Sequence, residues 1–311
     1  MAAGGFSSGY DHFTRFGLAE GRSPCPVDRR ARLLGALDPA RLRGVEIGAL
    51  DKPTVAKSEG DIIYVDHTDR DGLLSIFGHT DMDLSKILEV DAVWGDKRLR
   101  ECLPAGRAVD YVVASHVVEH VPDLLGWLIE VREVLAPCGQ LRLAVPDRRY
   151  TFDLARRESE LPDVLDAYLR QARIPLPRAV MEFVLYTHEV KARDAWLGLI
   201  DPESLRRPAC PVQDAMTLAR DVLERGRYLD SHCWIFTPRS FAGLMEQLAE
   251  SGLLGLECAE FHDTALFDHE FFVGLAPTDD KTRAAASWRH MRASAAGSPL
   301  VAPSPSGRGQ G

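Results

Sequence analysis

The sequence predicts an α/β fold built around a mostly parallel sheet. Two observations support this. Short apolar runs rich in β-branched residues recur along the first half of the chain, and segments with helical periodicity separate them. Strands that alternate with helices form parallel sheets, because each helix carries the chain back across one face of the sheet. With 311 residues, the chain is long enough for one large domain with an insertion.

Five apolar runs in the first half of the chain are predicted strands. The first, RGVEIG at 43–48, follows a helical pattern over 30–43. The others are DIIYVD (61–66), VDAVWG (90–95), VDYVVAS (109–115) and QLRLAVP (140–146). The segment 122–139 has Leu and Val at helical spacing, opens with Pro122 and closes with Gly139, so we expect a helix before the fifth strand.

The second half of the chain has a different pattern. Residues 150–230 are charged and helical in periodicity, which predicts a helical insertion after the fifth strand and a substrate lid. A helix over 238–252 and an antiparallel strand pair over 253–263 and 269–276 should follow. We expect a leader over 1–29, a main domain over 30–277 and a disordered tail over 278–311, where Ala, Ser, Gly and Pro dominate.

Composition limits the function. The formal charge of −9 argues against a nucleic-acid partner, because such binding depends on Lys and Arg that neutralise phosphates. No apolar run approaches the ~20 residues of a membrane span, and the first residues lack the apolar core of a signal peptide. The six scattered cysteines form no CxxC pair and predict reduced thiols. We therefore expect a cytoplasmic protein, and the sequence leaves its oligomeric state open.

Two strand ends carry residues suited to a nucleoside. In open α/β sheets, ligands bind beyond the carboxyl ends of the strands. Gly48 follows the first strand and would let the backbone approach a ligand closely. Asp66 ends the second strand, about twenty positions later, where an acidic residue suits ribose hydroxyls. A tight turn and a solvated strand end are the alternative interpretations. NAD is disfavoured because the GxGxxG loop for its pyrophosphate is absent.

The segment 110–146 carries a family resemblance. Its sequence, DYVVASHVVEHVPDLLGWLIEVREVLAPCGQLRLAVP, closely resembles a pattern of the class I S-adenosylmethionine-dependent methyltransferases. Cys138 stands where that family usually has a glycine. The glycine loop matches in part, since Glu46 and Gly48 agree whereas Leu50 and Lys52 replace two family glycines.

The resemblance implies a fold, a cofactor and a set of cofactor-binding residues. The implied fold is a Rossmann-like mixed seven-stranded sheet with helices on both faces and a reversed last strand. The implied cofactor is S-adenosyl-L-methionine, and Asp96 is expected near its adenine. The implied cofactor-binding residues are Glu46, Gly48, Ala49, Asp66, His67, Asp96, Ser115 and His116.

Three histidines are candidate catalytic residues. Methyl transfer is an in-line displacement, in which the protein mainly aligns donor and acceptor. An oxygen acceptor of high pKa also needs a base, for which histidine is a usual choice. His120 lies near the end of the fourth strand, whereas His188 and His232 lie in or beside the insertion. Each could instead be a structural residue.

A second resemblance concerns the acceptor. The segments VPDRRYTFD, DSHCWIFTP and DHEFFVGL resemble methyltransferase-like proteins of bacterial glycan-synthesis clusters. This resemblance implies a small-molecule or glycan acceptor and O-methylation. The incomplete glycine loop keeps an alternative open, in which the chain is a non-catalytic module that acts through partner binding. A reductase or sugar-nucleotide enzyme is disfavoured by the missing phosphate loop.

The same segment contains a motif that resembles a zinc-peptidase site. His116, Glu119 and His120 fit HxxEH, whose chemistry needs both histidines on one helical face. Here the motif directly follows a strand, and Pro122 disfavours helical geometry in the residue before it. We therefore expect no metal site.

Overall fold

The structure is a computed structural model that describes residues 16–17, 28–104, 108–201 and 203–295. The strands are β1 (Arg43–Ile47), β2 (Asp61–Asp66), β3 (Ala92–Val93), β4 (Val109–Ser115), β5 (Leu135–Pro146), β6 (Leu256–His262) and β7 (Glu270–Pro277). The helices are α1 (Arg29–Leu34), α2 (Arg70–Phe77), α3 (Leu99–Cys102), α4 (Leu124–Val134), α5 (Leu161–Leu169), α6 (Pro177–Tyr186), α7 (Ala192–Trp196), α8 (Val212–Arg225), α9 (Pro238–Glu250) and α10 (Lys281–Ser294). Short 3-10 turns lie at Leu84–Lys86, Arg148–Tyr150 and Ser204–Arg206.

The strands form one seven-stranded sheet in the order β3-β2-β1-β4-β5-β7-β6. The pairs among β1 to β5 are parallel, and β7 runs antiparallel to both β5 and β6. The predicted mixed seven-stranded fold is confirmed. The strand order reverses between β1 and β4, which opens a crevice at the carboxyl ends of these strands.

Both faces of the sheet are covered. Along β4, Val112 and Ala114 pack into the apolar layer that contains α4, α9 and α10. Tyr111 and Val113, which alternate with them, pack into the layer on the other face together with α1. A strand buried on both faces needs a continuous apolar run. This explains why β4 is the clearest strand in the sequence.

The segment predicted as a helical insertion contains α5, α6, α7 and α8, between β5 and α9. Its helices are less buried than those around the sheet. In α6 only Val180 is buried. In α8 the buried residues are Ala215, Ala219 and Val222. Within the described residues, no helix combines the length and apolar character needed to span a membrane.

The prediction that the tail is disordered from residue 278 is wrong for Lys281–Ser294. These residues form α10, which Asp280 caps by accepting hydrogen bonds from the backbone N–H groups of Thr282 and Arg283. Trp288 is fully buried, and its Nε1 donates to the backbone oxygen of Leu256 at 2.9 Å. The composition of the whole tail obscured these apolar positions. The remaining tail, 296–311, lies outside the described residues.

The domain also begins earlier than predicted. Asp28 caps α1, and Arg29 in its first turn bonds to Ser115 at the end of β4 and to Glu270 at the start of β7. The boundary at residue 30 therefore separates groups that pack together. Most of the predicted leader, 1–15 and 18–27, lies outside the described residues.

Candidate functional site

A cavity of about 200 Å³ lies at the carboxyl ends of β1, β2 and β4, where the strand order reverses. Residues of the turns after these strands form one wall, and residues that follow α8 form part of another. Its lining includes Gly48, Leu50, Asp66, His67, Trp94, Gly95, His116, His120, Trp127, Tyr228 and Asp230. This is the place where the fold class predicts a ligand.

The turn after β1 depends on Gly48 and on Glu46. Gly48 has a φ of +71°, and a Cβ there would lie 2.7 Å from Cγ2 of Val117. A side chain at this position would be both strained and crowded. The buried carboxylate of Glu46 accepts from the backbone N–H groups of Thr54 at 2.6 Å and Val55 at 3.1 Å. This carboxylate therefore fixes the loop that follows β1.

The end of β2 presents an acidic group to the cavity. Oδ1 of Asp66 accepts from the backbone N–H and from Nδ1 of His67, each at 2.7 Å. Its other oxygen, Oδ2, has no hydrogen-bond partner among the described residues. The ring of His67 stacks on Tyr228, with centroids 5.2 Å apart. Asp66 is therefore oriented by His67 and keeps one oxygen for a ligand.

Three ring nitrogens of cavity-lining residues are buried without a hydrogen-bond partner within the described chain. They are Nε2 of His67 and the Nε1 atoms of Trp94 and Trp127. The two Nε1 groups are buried donors, whereas Nε2 of His67 is an acceptor when the ring is neutral, because Nδ1 donates to Asp66. A buried polar group without a partner costs about 1–3 kcal/mol, so a ligand that pairs with these atoms gains from doing so. Adenine carries ring-nitrogen acceptors. The residues present therefore fit a nucleoside with a free ribose and adenine.

The structure brings only part of the predicted cofactor set to this cavity. Gly48, Asp66, His67 and His116 line it. The other four residues lie outside its lining: Glu46 is buried beneath the loop, Ala49 is buried beside it, Asp96 is exposed beyond Gly95, and Oγ of Ser115 accepts from Arg29. The Glu46 carboxylate is directed into its own loop, and burial raises its pKa although the loop N–H groups oppose that rise.

His116 joins the cavity to the edge of β7. Its Nε2 lies 2.8 Å from Oε2 of Glu270, and its Nδ1 lies 3.6 Å from Oε1 of Glu119. Burial works to lower the pKa of His116, but the bond to Glu270 and the charge of Glu119 raise it above its usual value. Its φ of +53° is unusual for a residue with a side chain, and this turn directs the ring toward Glu270.

Two of the predicted catalytic histidines lie together. The rings of His120 and His232 meet edge to face, with centroids 4.6 Å apart. Nδ1 of His120 donates to Asp230 at 2.8 Å, and Nδ1 of His232 donates to Asp153 at 2.5 Å. A carboxylate can only accept, so each bond places the proton on Nδ1 and leaves Nε2 with a lone pair when the ring is neutral.

Asp153 is itself held by a second partner. Nη1 of Arg156 donates to it at 2.7 Å, and Nη2 of the same arginine donates to the backbone oxygen of His232 at 2.8 Å. Burial works to raise the pKa of Asp153, but the bond to His232 and the nearby Arg156 lower it. The two ends of the helical insertion are joined through these side chains.

The third predicted histidine lies elsewhere. The backbone N–H of His188 donates to the oxygen of Phe152, and its Nε2 is buried without a partner within the described residues. It does not line the cavity beside His120. The structure therefore unites His120 and His232 and leaves His188 apart.

The zinc-peptidase interpretation finds no support in the geometry. Residues 118–120 form a turn between β4 and α4, so the histidines of HxxEH share no helical face. His116 bonds to Glu270, whereas His120 bonds to Asp230. Glu119 between them is fully buried, and neither of its carboxylate oxygens has a hydrogen-bond partner within the described residues.

Comparison with known families assigns the chain. A family model described as a methyltransferase domain matches residues 19–248, which is well over half of the sequence. The chain belongs to this methyltransferase-domain family. The match runs from before β1 into α9, and so includes the cavity, the insertion and both clustered histidines.

Similar solved structures are distant from this methyltransferase-domain chain. A protein named as a Zn-dependent alcohol dehydrogenase from Rhodobacter sphaeroides is 12% identical, with 81% of this chain and 91% of that chain covered and a TM-score of 0.43. The CcbJ methyltransferase from Streptomyces caelestis is 11% identical, with 80% and 94% covered and a TM-score of 0.40. The mitomycin 7-O-methyltransferase MmcR is 11% identical, with 80% and 53% covered and a TM-score of 0.36. The chain thus spans about half of MmcR. No curated protein sequence matches.

The sequence did not identify several residues of the methyltransferase domain that line the cavity. The sequence places Trp94 near the end of a strand and Trp127 near the start of a helix, but only the structure shows that both line the cavity. Tyr228 and Asp230 reach it from the far end of the insertion. The proximity of Asp230 to His232 in the sequence was the one available signal.

Proposed function

We propose that this protein is an S-adenosyl-L-methionine-dependent methyltransferase that O-methylates a small-molecule or glycan acceptor. The observation that carries the proposal is the cavity at the strand ends. It combines the left-handed turn at Gly48, a free oxygen of Asp66 and unpartnered ring nitrogens. Membership of the methyltransferase-domain family supports the same cofactor.

Each group of the cavity has a role in holding the cofactor. Oδ2 of Asp66 would accept from a ribose hydroxyl. The Nε1 groups of Trp94 and Trp127 would donate to the base, and the backbone at Gly48 would approach the ligand closely. S-adenosyl-L-methionine would supply an electrophilic methyl group. The chain then has to bring the acceptor oxygen into line with that group and exclude competing water.

The paired histidines act on the acceptor oxygen. His120 lines the cofactor cavity, and His232 lies against it with its Nδ1 fixed by Asp153. An alcohol is a weak nucleophile until its proton leaves, so the protein must favour the ionised oxygen. His120 and His232 lie where the insertion meets the cavity, and there they would favour the ionised acceptor oxygen. This end of the cavity is therefore the proposed acceptor side of the site.

A larger cavity of about 720 Å³ lies within the insertion. Its lining combines aromatic and charged groups, including Arg148, Tyr150, Arg156, Tyr186 and Glu182. Flat rings and fixed hydrogen-bond donors suit a polar ring such as a sugar. Arg156 also contacts Asp153 and the backbone of His232, which links this cavity to the paired histidines. We propose that the insertion binds the acceptor and covers the site.

The setting of the reaction is part of the proposal. The cysteines of the described residues are free thiols, which supports a reducing compartment such as the cytoplasm. The formal charge of −9 favours a small acceptor over a nucleic acid.

Calorimetric titration of the purified protein tests the cofactor first. S-adenosylmethionine and S-adenosylhomocysteine should bind in the micromolar range, whereas NAD should not bind. Transfer of a labelled methyl group to a panel of sugars and small alcohols then tests the acceptor class. Absence of binding at millimolar S-adenosylmethionine would support the alternative, a module that acts through protein partners.

A further inference from the structure

Glu119 is the least satisfied charged group at the site. Its side chain is fully buried, and neither carboxylate oxygen has a hydrogen-bond partner within the described residues. The nearest histidine nitrogens are Nδ1 of His116 at 3.6 Å and Nε2 of His120 at 3.9 Å. Burial of a carboxylate without hydrogen bonds is costly, so such a group ordinarily has a ligand or an ion beside it.

His120 and His232 stand next to this carboxylate in the arrangement that metal-binding histidines adopt. Each donates its Nδ1 proton to a separate carboxylate, Asp230 for His120 and Asp153 for His232. Such outer carboxylates fix the ring orientation and direct the lone pair of Nε2 to the ion. One ligand atom from each of Glu119, His120 and His232 lies within 4.8 Å of the other two.

We propose that Glu119, His120 and His232 bind a divalent metal ion, with Zn²⁺ as the best match. Two imidazoles with one carboxylate form a known type of catalytic zinc set, which leaves a position open for water or substrate. Ligand atoms at about 2.0–2.1 Å from a tetrahedral zinc ion lie roughly 3.4 Å from one another. Side-chain rotations that move the three ligand atoms by about 1 Å would bring them to that spacing. The expectation of no metal rested on the HxxEH helix, and this cluster recruits His232 from the other end of the insertion instead.

The ion would explain how the acceptor is activated, which rests on the proposed function. Bound at the open position, the acceptor hydroxyl would have a lowered pKa, as zinc-bound water does. Its O–H bond breaks and the proton passes to water. The oxygen then forms the new C–O bond as the S–C bond of the cofactor breaks, and S-adenosylhomocysteine leaves with the sulfur electron pair.

Zinc binding by the full-length chain tests this inference directly. Chelator-treated protein should take up one Zn²⁺ per chain in calorimetry and elemental analysis, and its midpoint of thermal unfolding should rise with added Zn²⁺. The isosteric variant Glu119→Gln and the variant His232→Asn should each weaken binding by at least about tenfold. The matched variant His188→Asn should bind as the wild type does. Mn²⁺ and Mg²⁺ serve as competing ions.

Two results would overturn the metal site. One is the absence of stoichiometric binding to the wild-type protein, which requires no variant to fold. The other is equal Zn²⁺ affinity in the wild type and in folded Glu119→Gln. Titration with S-adenosylmethionine in the presence of chelator separates the two proposals. If the protein binds the cofactor but not zinc, only the proposed metal site is ruled out. If it binds zinc but not the cofactor, only the proposed methyltransferase function is ruled out.

Discussion

Oδ2 of Asp153 accepts a 2.5 Å hydrogen bond from Nδ1 of His232, across 79 positions of the chain. Asp153 follows the turn after β5, and His232 precedes α9, so the bond closes the insertion at its base. Both side chains are buried. The position of His232 beside the cavity at the strand ends therefore depends on Asp153, whether the imidazole takes a proton or binds a metal.

Asp153→Asn should lower the rate of methyl transfer about 10- to 100-fold while leaving cofactor affinity unchanged. The amide can donate to Nδ1 and so reverse the tautomer of His232, but Asp153 does not line the cavity proposed to hold the cofactor. Steady-state kinetics and calorimetry with S-adenosylhomocysteine would measure the two effects. Asp166→Asn, at an exposed position of α5 paired with Arg170, is the matched control. An unchanged rate in the folded variant would show that methyl transfer does not depend on the bond between Asp153 and His232.

The sequence could predict the sheet because its signal is local. β4 is a run of β-branched residues that the fold buries on both faces, and Pro146 ends β5. Gly48 and Asp66 were found in the same way, because their position after a strand is sufficient to place them at the crevice. The tail illustrates the limit, since the burial of Trp288 depends on its contact with β6 rather than on the composition around it.

The histidine cluster could not be predicted from local pattern. His120 and Asp230 are 110 positions apart, and their contact requires the insertion to fold back over the sheet. His188 is also a histidine associated with the insertion, but its backbone N–H bonds to the oxygen of Phe152 and its side chain does not line the cavity beside His120. Side-chain direction, which separates Asp66 from Asp96 and His232 from His188, depends on tertiary packing.

Asp66→Ala should weaken binding of S-adenosylmethionine by about 10- to 100-fold. Hydrogen bonds to a charged group contribute about 1.5–3 kcal/mol, and the substitution removes the free carboxylate oxygen from the cavity. Asp96→Ala is the matched control, because Asp96 is exposed and lies outside the lining. Titration calorimetry of both variants would measure the change. Equal affinity of Asp66→Ala and the wild type would contradict the ribose assignment. A loss of affinity in Asp96→Ala would support the predicted position of Asp96 near the adenine.

Trp288→Ala should destabilise the protein by about 3–5 kcal/mol, the usual cost of truncating a buried tryptophan. The substitution leaves a void against β6 and α9 and removes the hydrogen bond to the oxygen of Leu256. His290→Ala, at an exposed position of the same helix, should change stability little. Urea unfolding curves would compare the variants. Equal unfolding midpoints for the two would mean that α10 is not part of the domain core.

The acid stability of the protein should depend on Glu270. Its carboxylate accepts from Nε of Arg29 at 2.6 Å and contacts His116, and although burial opposes the shift, these partners lower its pKa to about 2. The pKa of glutamate in an unfolded chain is about 4.3. The group therefore stabilises the fold above about pH 4.3, and this contribution is lost as the pH falls toward 2.

Glu270→Gln should reduce the free energy of unfolding by up to about 3 kcal/mol at neutral pH, as follows from the size of that pKa shift. The difference from the wild type should shrink steadily between about pH 4.3 and pH 2, because protonation neutralises the wild-type carboxyl as well. Urea unfolding of both proteins across this range measures it, with Glu203→Gln at an exposed position as control. A difference that stays constant with pH would show that the loss comes from packing and that Glu270 titrates as an ordinary carboxyl.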